Sequence, residues 1–359
     1  MFKNFRSVEK CAYGRGSFDK LGEILAPRRK AQNPAMVFLI DDYFKDHPLV
    51  QKLPLQAGDQ VEYIYAGGEE PKTSQIDALR DHIQQTIGLP AGVIGIGGGS
   101  LMDIAKAVAL MLTNEGSSTQ YQGLNLIQNP GVYHVGIPTI SGTGAEVSMT
   151  AVLTGPDKKL GLKCEWTVFD QIVLDPDLVA SVPCDHWFYT GMDCYIHCIE
   201  SMTGHLKNTF SEAYGYKALD LCREVFLGEK AGQNPENDEK LMVASYFGGL
   251  SLTYSEVGVC HALSYGLSYV FGTRHGIANC ICFHQLEDFY PEGVAEFKAM
   301  LARHEISLPQ NLSAQWTEAE IEKMIDTTLN LHHMWRHALG EDWQQKISRE
   351  EVRALYLRM

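Results

Sequence analysis

The chain has 359 residues, 45% hydrophobic and 21% charged, which is ordinary for a globular protein and long enough for two domains with separate cores. Its formal net charge of −14 excludes the basic face that a nucleic-acid binder needs, and no apolar run approaches the roughly 20 residues of a membrane-spanning helix. The opening Met1-Phe2-Lys3-Asn4-Phe5-Arg6 has no signal-peptide core, and nine cysteines without a CxxC pair read as reduced, mostly buried thiols of a cytoplasmic protein.

Early in the chain, Tyr13-Gly14-Arg15-Gly16-Ser17 precedes a helical pattern through Leu21 and Leu25. Ala35 to Ile40 is an unbroken apolar run ending in Asp41-Asp42, the signature of a parallel strand buried on both faces. Val61 to Ala66 is a second strand candidate, and Thr73 to Ile87 has helical spacing.

Residues 91–110 read as strand, glycine turn and helix. Gly97-Gly98-Gly99-Ser100 lets backbone N–H groups approach a phosphate at the start of a strong helix, where the dipole favours negative charge. An ordinary tight βα turn is the alternative, but three glycines and a serine at the start of a strong helix favour the phosphate site. The GxGxxG fingerprint fails at Ser100, and the acid expected downstream is missing, so Asp41 is the better candidate for a ribose hydroxyl. Tyr133 to Pro138 is another buried strand. It leads into Thr139-Ile140-Ser141-Gly142-Thr143-Gly144, suited to line a cofactor crevice or simply to form a flexible turn. Residues 155–159 read as a turn, and Gln171 to Leu174 with Asp175-Pro176-Asp177-Leu178 closes this half.

After Pro183 strand alternation disappears and amphipathic helical segments follow, among them Ser211 to Phe226, Asp238 to Ser251 and Thr317 to His333. The expected division is an α/β domain over 1–180 and an all-helical domain over 181–359. The stretch Thr190 to Glu200 has Gly204 as its stop. Asp193 and His197 stand four apart and share a helix face, either as a hydrogen-bonded pair or as half of a metal's ligand shell. His261 and His275 sit among small residues. Together the four offer one oxygen and three nitrogens, a set for Fe²⁺ or Zn²⁺ rather than Mg²⁺ or Ca²⁺. His332, His333 and His337 read as solvated members of a charged helix.

Gly-x-Asp-x-x-x-His at 191–197, His261 in GxxHA, His275-Gly276, GGGSxxDxAK at 97–106, IPTxxGTGAEV at 137–147 and DPDL at 175–178 arrive in one order. That combination resembles the iron-containing (group III) alcohol dehydrogenase family over nearly the whole chain. The resemblance implies a dehydroquinate synthase-like architecture, with an N-terminal α/β nucleotide-binding domain and an all-α C-terminal domain. It also implies NAD, a divalent metal (Fe²⁺ or Zn²⁺) and a homodimer. Asp193, His197, His261 and His275 match the family's metal ligands. Gly97, Gly98, Gly99 and Ser100 match its pyrophosphate loop. Thr139, Thr143, Lys159 and Leu178 match cofactor-lining positions, and Asp41 matches the acid that favours NAD over NADP.

Two positions depart from the family pattern. Tyr265 stands where many members carry a histidine near the nicotinamide, and Thr150 stands where asparagine is frequent near the substrate. A tyrosine of ordinary pKa near 10 is a poor proton acceptor at neutral pH. The whole sequence is also similar to members that oxidise C8 of the sugar acid 3-deoxy-D-manno-octulosonate (Kdo) to an aldehyde. For those members a pyridoxal-phosphate-dependent aminotransferase acts next, in lipopolysaccharide biosynthesis. An oxidase label among them implies dioxygen as acceptor, whereas the motifs imply a nicotinamide. Arg274, beside His275, is the cation placed for the sugar's carboxylate.

Overall fold

The unbroken apolar runs become interior strands, because a strand covered on both faces has no polar side to present. The computed structural model describes residues 5–66 and 70–359. Its strands are β1 (Lys10–Tyr13), β2 (Met36–Asp41), β3 (Gln60–Ile64), β4 (Gly92–Gly97), β5 (Gly123–Leu124), β6 (His134–Pro138), β7 (Thr150–Thr154), β8 (Lys159–Lys163) and β9 (Gln171–Leu174). Six of them form one sheet in the order β1-β9-β6-β4-β2-β3, with every pairing parallel. All residues of β4, β6 and β9 are buried, as is β2 up to Asp41. Helices α1 (Leu21–Leu25), α2 (Thr73–Ile87) and α3 (Gly99–Met111) belong to the same half. Phe38, Ile40, Ile94, Ile96, Val135 and Ile137 form one cluster with Phe18, Leu21 and Leu25. Each large apolar side chain removed from water there contributes roughly 1.5–3 kcal/mol.

The order of connection matters more than the strand count. The chain steps outward from β2 to β3, returns past β2 to β4, and continues to β6 and β9. Direction therefore reverses between β2 and β4. At such a reversal the connections leave to opposite sides, opening a crevice at the carboxyl ends of the strands. Asp41 ends β2 and Gly97 ends β4, so both stand at that point.

The structure adds a small sheet, β5-β8-β7, where the sequence showed only a turn. Strands β7 and β8 pair antiparallel, and the Gly155 N–H donates to the Lys158 carbonyl at 2.8 Å to close the hairpin.

The second half is helical: α4 (Cys184–Thr203), α5 (Thr209–Leu227), α6 (Pro235–Tyr254), α7 (Val259–Phe271), α8 (His275–Phe283), α9 (Pro291–Arg303), α10 (Glu318–Leu329), α11 (His332–Leu339) and α12 (Arg349–Leu357). Capping boxes at Asn208/Ser211, Thr317/Glu320 and Ser348/Glu351 start α5, α10 and α12. By its own packing the chain forms two compact units. One holds the residues up to Ile140 and Ala145–Ser181; the other holds Ser141–Gly144 and Val182–Met359.

Two expectations are corrected. The helix expected over 317–333 divides, because α10 stops at Leu329 and α11 begins at His332. The Trp335 indole N–H donates to the Thr328 carbonyl at 2.8 Å, which satisfies the end of α10 and holds α11 against it. His337 is not solvated but fully buried. Its Nδ1 lies 3.2 Å from the Leu206 N–H and its Nε2 lies 2.8 Å from the Glu200 carbonyl. Among the described residues no helix is long and apolar enough to cross a membrane.

Candidate metal centre and nucleotide loop

In the helical unit, α4 ends at Gly204, and Asp193 and His197 lie on its buried side, 2% and 1% exposed. His261 enters from the first turn of α7, and His275 is the first residue of α8. Three of the four expected ligands converge. Asp193, His261 and His275 each offer one atom within 4.8 Å of the others. Asp193 Oδ1 stands 3.3 Å from His261 Nε2 and 3.6 Å from His275 Nε2. His197 does not join them. Its ring centre is 6.4 Å from that of His261, and its Nε2 is buried against Gly248 with no hydrogen-bond partner among the described residues.

Two further residues complete the arrangement, and the motif reading did not select either. Glu200 accepts from three sides: its Oε2 lies 2.5 Å from His261 Nδ1, and its Oε1 takes the Cys260 N–H at 2.6 Å and the Tyr290 hydroxyl at 3.2 Å. This carboxylate fixes the His261 ring and turns Nε2 toward Asp193, the usual support of a metal-binding imidazole. Asn279, four residues after His275, places Nδ2 at 2.7 Å from Asp193 Oδ1 and at 3.2 Å from both His261 Nε2 and His275 Nε2. Spacing could have found both residues: Glu200 is seven after Asp193 on one helix face, and Asn279 is one turn after His275.

The electrostatics follow from burial and these neighbours. Burial alone would raise Asp193; the imidazoles of His275, His261 and His197 outweigh it and hold the carboxyl well below its usual range. Burial likewise opposes the charged form of His261, but Glu200 and Asp193 carry it up to about 9. Burial pushes His197 down to about 4. An anionic oxygen and two convergent imidazoles fit a divalent Fe²⁺ or Zn²⁺ ion. Tyr265 lies edge-on to the His275 ring, with centroids 5.8 Å apart. Arg274 is exposed at the N-cap of α8, and no carboxylate pairs with it among the described residues.

In the α/β unit, Gly97, Gly98, Gly99 and Ser100 join β4 to α3. None of these glycines has a positive φ; at Gly97 and Gly98 close packing is what demands glycine. A Cβ on Gly97 would stand 2.5 Å from Leu101 Cδ2 and 3.2 Å from Asp41 Cβ, and one on Gly98 would stand 2.7 Å from Ile140 Cδ1. No side chain caps α3, so its first N–H groups remain for an anion. Asp41 is thus brought beside Gly97, and burial raises its carboxyl. The Thr139 N–H donates to the Gly97 carbonyl at 2.9 Å.

The other expected residues are more dispersed. Lys159 is buried and ion-paired with Glu70 at 3.2 Å. Leu178 packs on the sheet's apolar cluster. The neighbouring Asp175 clamps the N-terminal turn through the Gly16 and Phe18 N–H groups, at 3.1 and 3.0 Å. The Thr150 carbonyl accepts from buried Lys106 at 2.9 Å, and the Thr150 hydroxyl lies over Gly161. Thr143 belongs to the helical unit, in a loop pinned by Gly142 (φ +140°) against Thr190 and by Gly144 (φ +63°) against Gly249.

Comparison with known proteins gives one consistent result. Residues 9–176 match the iron-containing alcohol dehydrogenase family, and residues 187–340 match the C-terminal family of Fe-containing alcohol dehydrogenases. The chain is 30% identical over 331 residues to an NAD-dependent methanol dehydrogenase of Bacillus methanolicus, covering 90% of this chain and 84% of that one. It is 29% identical over 291 residues to a sulfoacetaldehyde reductase of Bilophila wadsworthia, covering 77% and 72% respectively. Among solved structures, a 1,3-propanediol oxidoreductase superposes with a TM-score of 0.83 at 20% identity, covering 99% of each chain. A sulfoacetaldehyde reductase from Bifidobacterium kashiwanohense in complex with NAD⁺ does so with a TM-score of 0.80 at 20% identity, covering 100% of this chain and 99% of that one.

Proposed function

The chain belongs to the iron-containing alcohol dehydrogenase family, and we propose that this metal- and NAD-dependent oxidoreductase acts on the C8 primary alcohol of Kdo. In this reading Asp193, His261 and His275 hold the metal, and His197 joins them by turning its ring. The metal supplies Lewis acidity that lowers the pKa of the substrate hydroxyl, and NAD accepts the hydride. Glu200 keeps His261 presenting Nε2. Tyr265 braces the His275 ring. The uncapped start of α3 binds the pyrophosphate, and Asp41 takes the adenosine ribose. Lys159, Thr139, Thr143 and Leu178 line the rest of the cofactor's path, and Thr150 faces the substrate.

The observation that carries the substrate reading is Arg274, an exposed guanidinium without a carboxylate partner, next in sequence to His275. A fork of N–H donors there suits a carboxylate bidentately. The relative named for sulfoacetaldehyde, an anionic aldehyde by its chemistry, supports an acidic substrate. The relative named for methanol favours the second reading, a simple alcohol or polyol dehydrogenase. We further propose that the protein is a cytoplasmic homodimer whose aldehyde product passes to a pyridoxal-phosphate-dependent aminotransferase, in the making of the 8-amino sugar of lipopolysaccharide.

The test is anaerobic incubation of Fe²⁺-loaded protein with Kdo and NAD, following NADH absorbance and aldehyde. NADH and aldehyde in equal amounts are expected. Turnover of 1-propanol but not of Kdo would replace the first reading with the second. Aldehyde and peroxide formed only in air would overturn NAD as the electron acceptor.

A further inference from the structure

A second cluster of donors shares α4 with Asp193. Cys194, His197 and Cys198 each present one donor atom within 4.8 Å of the others, and all three residues are buried. Cys222 of α5 adds another sulfur, 3.8 Å from Cys194 Sγ. Gly248 of α6 faces the group. A Cβ there would stand 2.5 Å from His197 Nε2, 2.9 Å from Cys194 Sγ and 3.2 Å from Cys198 Sγ, so the glycine keeps side-chain atoms out of the space among the donors. His197 Nε2 is aimed into that space and, among the described residues, has no hydrogen-bond partner. A buried imidazole nitrogen left in this way is costly, and neighbouring thiols are weak donors that satisfy it poorly.

We propose that Cys194, His197 and Cys198 form a second, thiophilic metal site that takes a soft cation, and that it competes with the Asp193 centre for His197. Sulfur and imidazole together select soft or borderline ions, whereas the Asp193 set offers oxygen and nitrogen. As the ion binds, each coordinating thiol gives its proton to solvent. One ring presents its Nε2 to one centre at a time, so filling either site weakens the other by the same factor. A soft metal is then an inhibitor that acts by removing a ligand, with no contact to substrate. The inference shares His197 with the proposed function but does not depend on the identity of the substrate.

The test uses reduced, metal-free full-length protein without oxygen, titrated with Cd²⁺. Sulfur-to-cadmium charge-transfer absorption saturating at one ion per chain is expected. Preloading with Fe²⁺ should weaken Cd²⁺ binding by a factor on the order of 5–150, the usual range for coupled sites. The Cys194→Ser/Cys198→Ser double variant should lose the absorption, and an equal signal there would overturn the assignment. Should that variant not fold, X-ray absorption at the cadmium edge of the wild-type complex decides the matter. Sulfur neighbours with an imidazole nitrogen support the site, and a shell of only oxygen and nitrogen overturns it. Cd²⁺ binding that Fe²⁺ leaves unchanged would refute the sharing of His197.

Discussion

Glu200 is where one side chain controls most. It touches none of the atoms offered to a metal, yet its carboxylate holds the His261 ring, a backbone N–H and the Tyr290 hydroxyl. Replacing Glu200 with Gln keeps the shape and removes the charge, and should weaken metal binding by roughly 10–100-fold, read in a chelator competition titration. Unchanged affinity would mean that the ring is held by packing alone. Arg274 predicts a different signature. Arg274→Ala should raise KM for Kdo by about 10–100-fold, the value of a lost charge-assisted contact, while leaving KM for 1-propanol as it was. The spacing of Asp193 and His197 was legible because a helix repeats every turn. Glu200 shares that face, seven residues after Asp193, but its role was hidden, because a carboxylate on a helix reads as solvent-facing until the neighbour that buries it is known. His337 was misread for the same reason. It is buried against Gly204, where a Cβ would stand 2.1 Å from its Nε2, and sequence pattern does not record that space.

At the scale of elements, the buried strands were readable because interior strands cannot hide their apolar composition. Thr73–Ile87 and Gln171–Leu174 fall where the pattern put them. Strands β7 and β8 were missed. Each is only five residues of mixed buried and half-buried positions, too short and too little apolar to read as an interior strand, and the Gly155-Pro156 turn drew the reading instead. Two elements depend on single residues. The loop 141–144 is set on α4 by Gly142, whose φ of +140° and whose missing Cβ, 1.7 Å from the Thr190 carbonyl oxygen, both forbid a side chain. Gly142→Ala should therefore cost more than about 1 kcal/mol and lower the Tm measurably. Strand β2 starts under a buried Arg29–Asp59 pair, 7% and 1% exposed, whose carboxylate also takes the Met36 and Gln56 N–H groups. Burial would raise Asp59, but Arg29 and those N–H groups hold it below the ordinary carboxylate value. A depressed carboxyl stabilises the fold above its unfolded pKa and loses that contribution as pH falls through the folded one. Asp59→Asn should accordingly destabilise by about 3–5 kcal/mol in urea unfolding at neutral pH. The gap from wild type should narrow below about pH 4.

Across the whole molecule, one unit carries an uncapped helix start at a reversal of strand order, and the other carries the carboxylate and histidines. The sequence made both halves visible through short motifs, since glycine loops and spaced ligands are local features. It could not show that His197 turns away from its expected partners, because ring orientation is decided by the helix packed against it. The account rests on Asp193, His197, His261 and His275 acting as one centre. The most direct measurement is metal content after anaerobic loading with Fe²⁺ and desalting, for wild type, Asp193→Ala and His261→Ala, with folding checked by circular dichroism. The account predicts one ion per wild-type chain and none in either variant. Folded variants that keep their iron would contradict it.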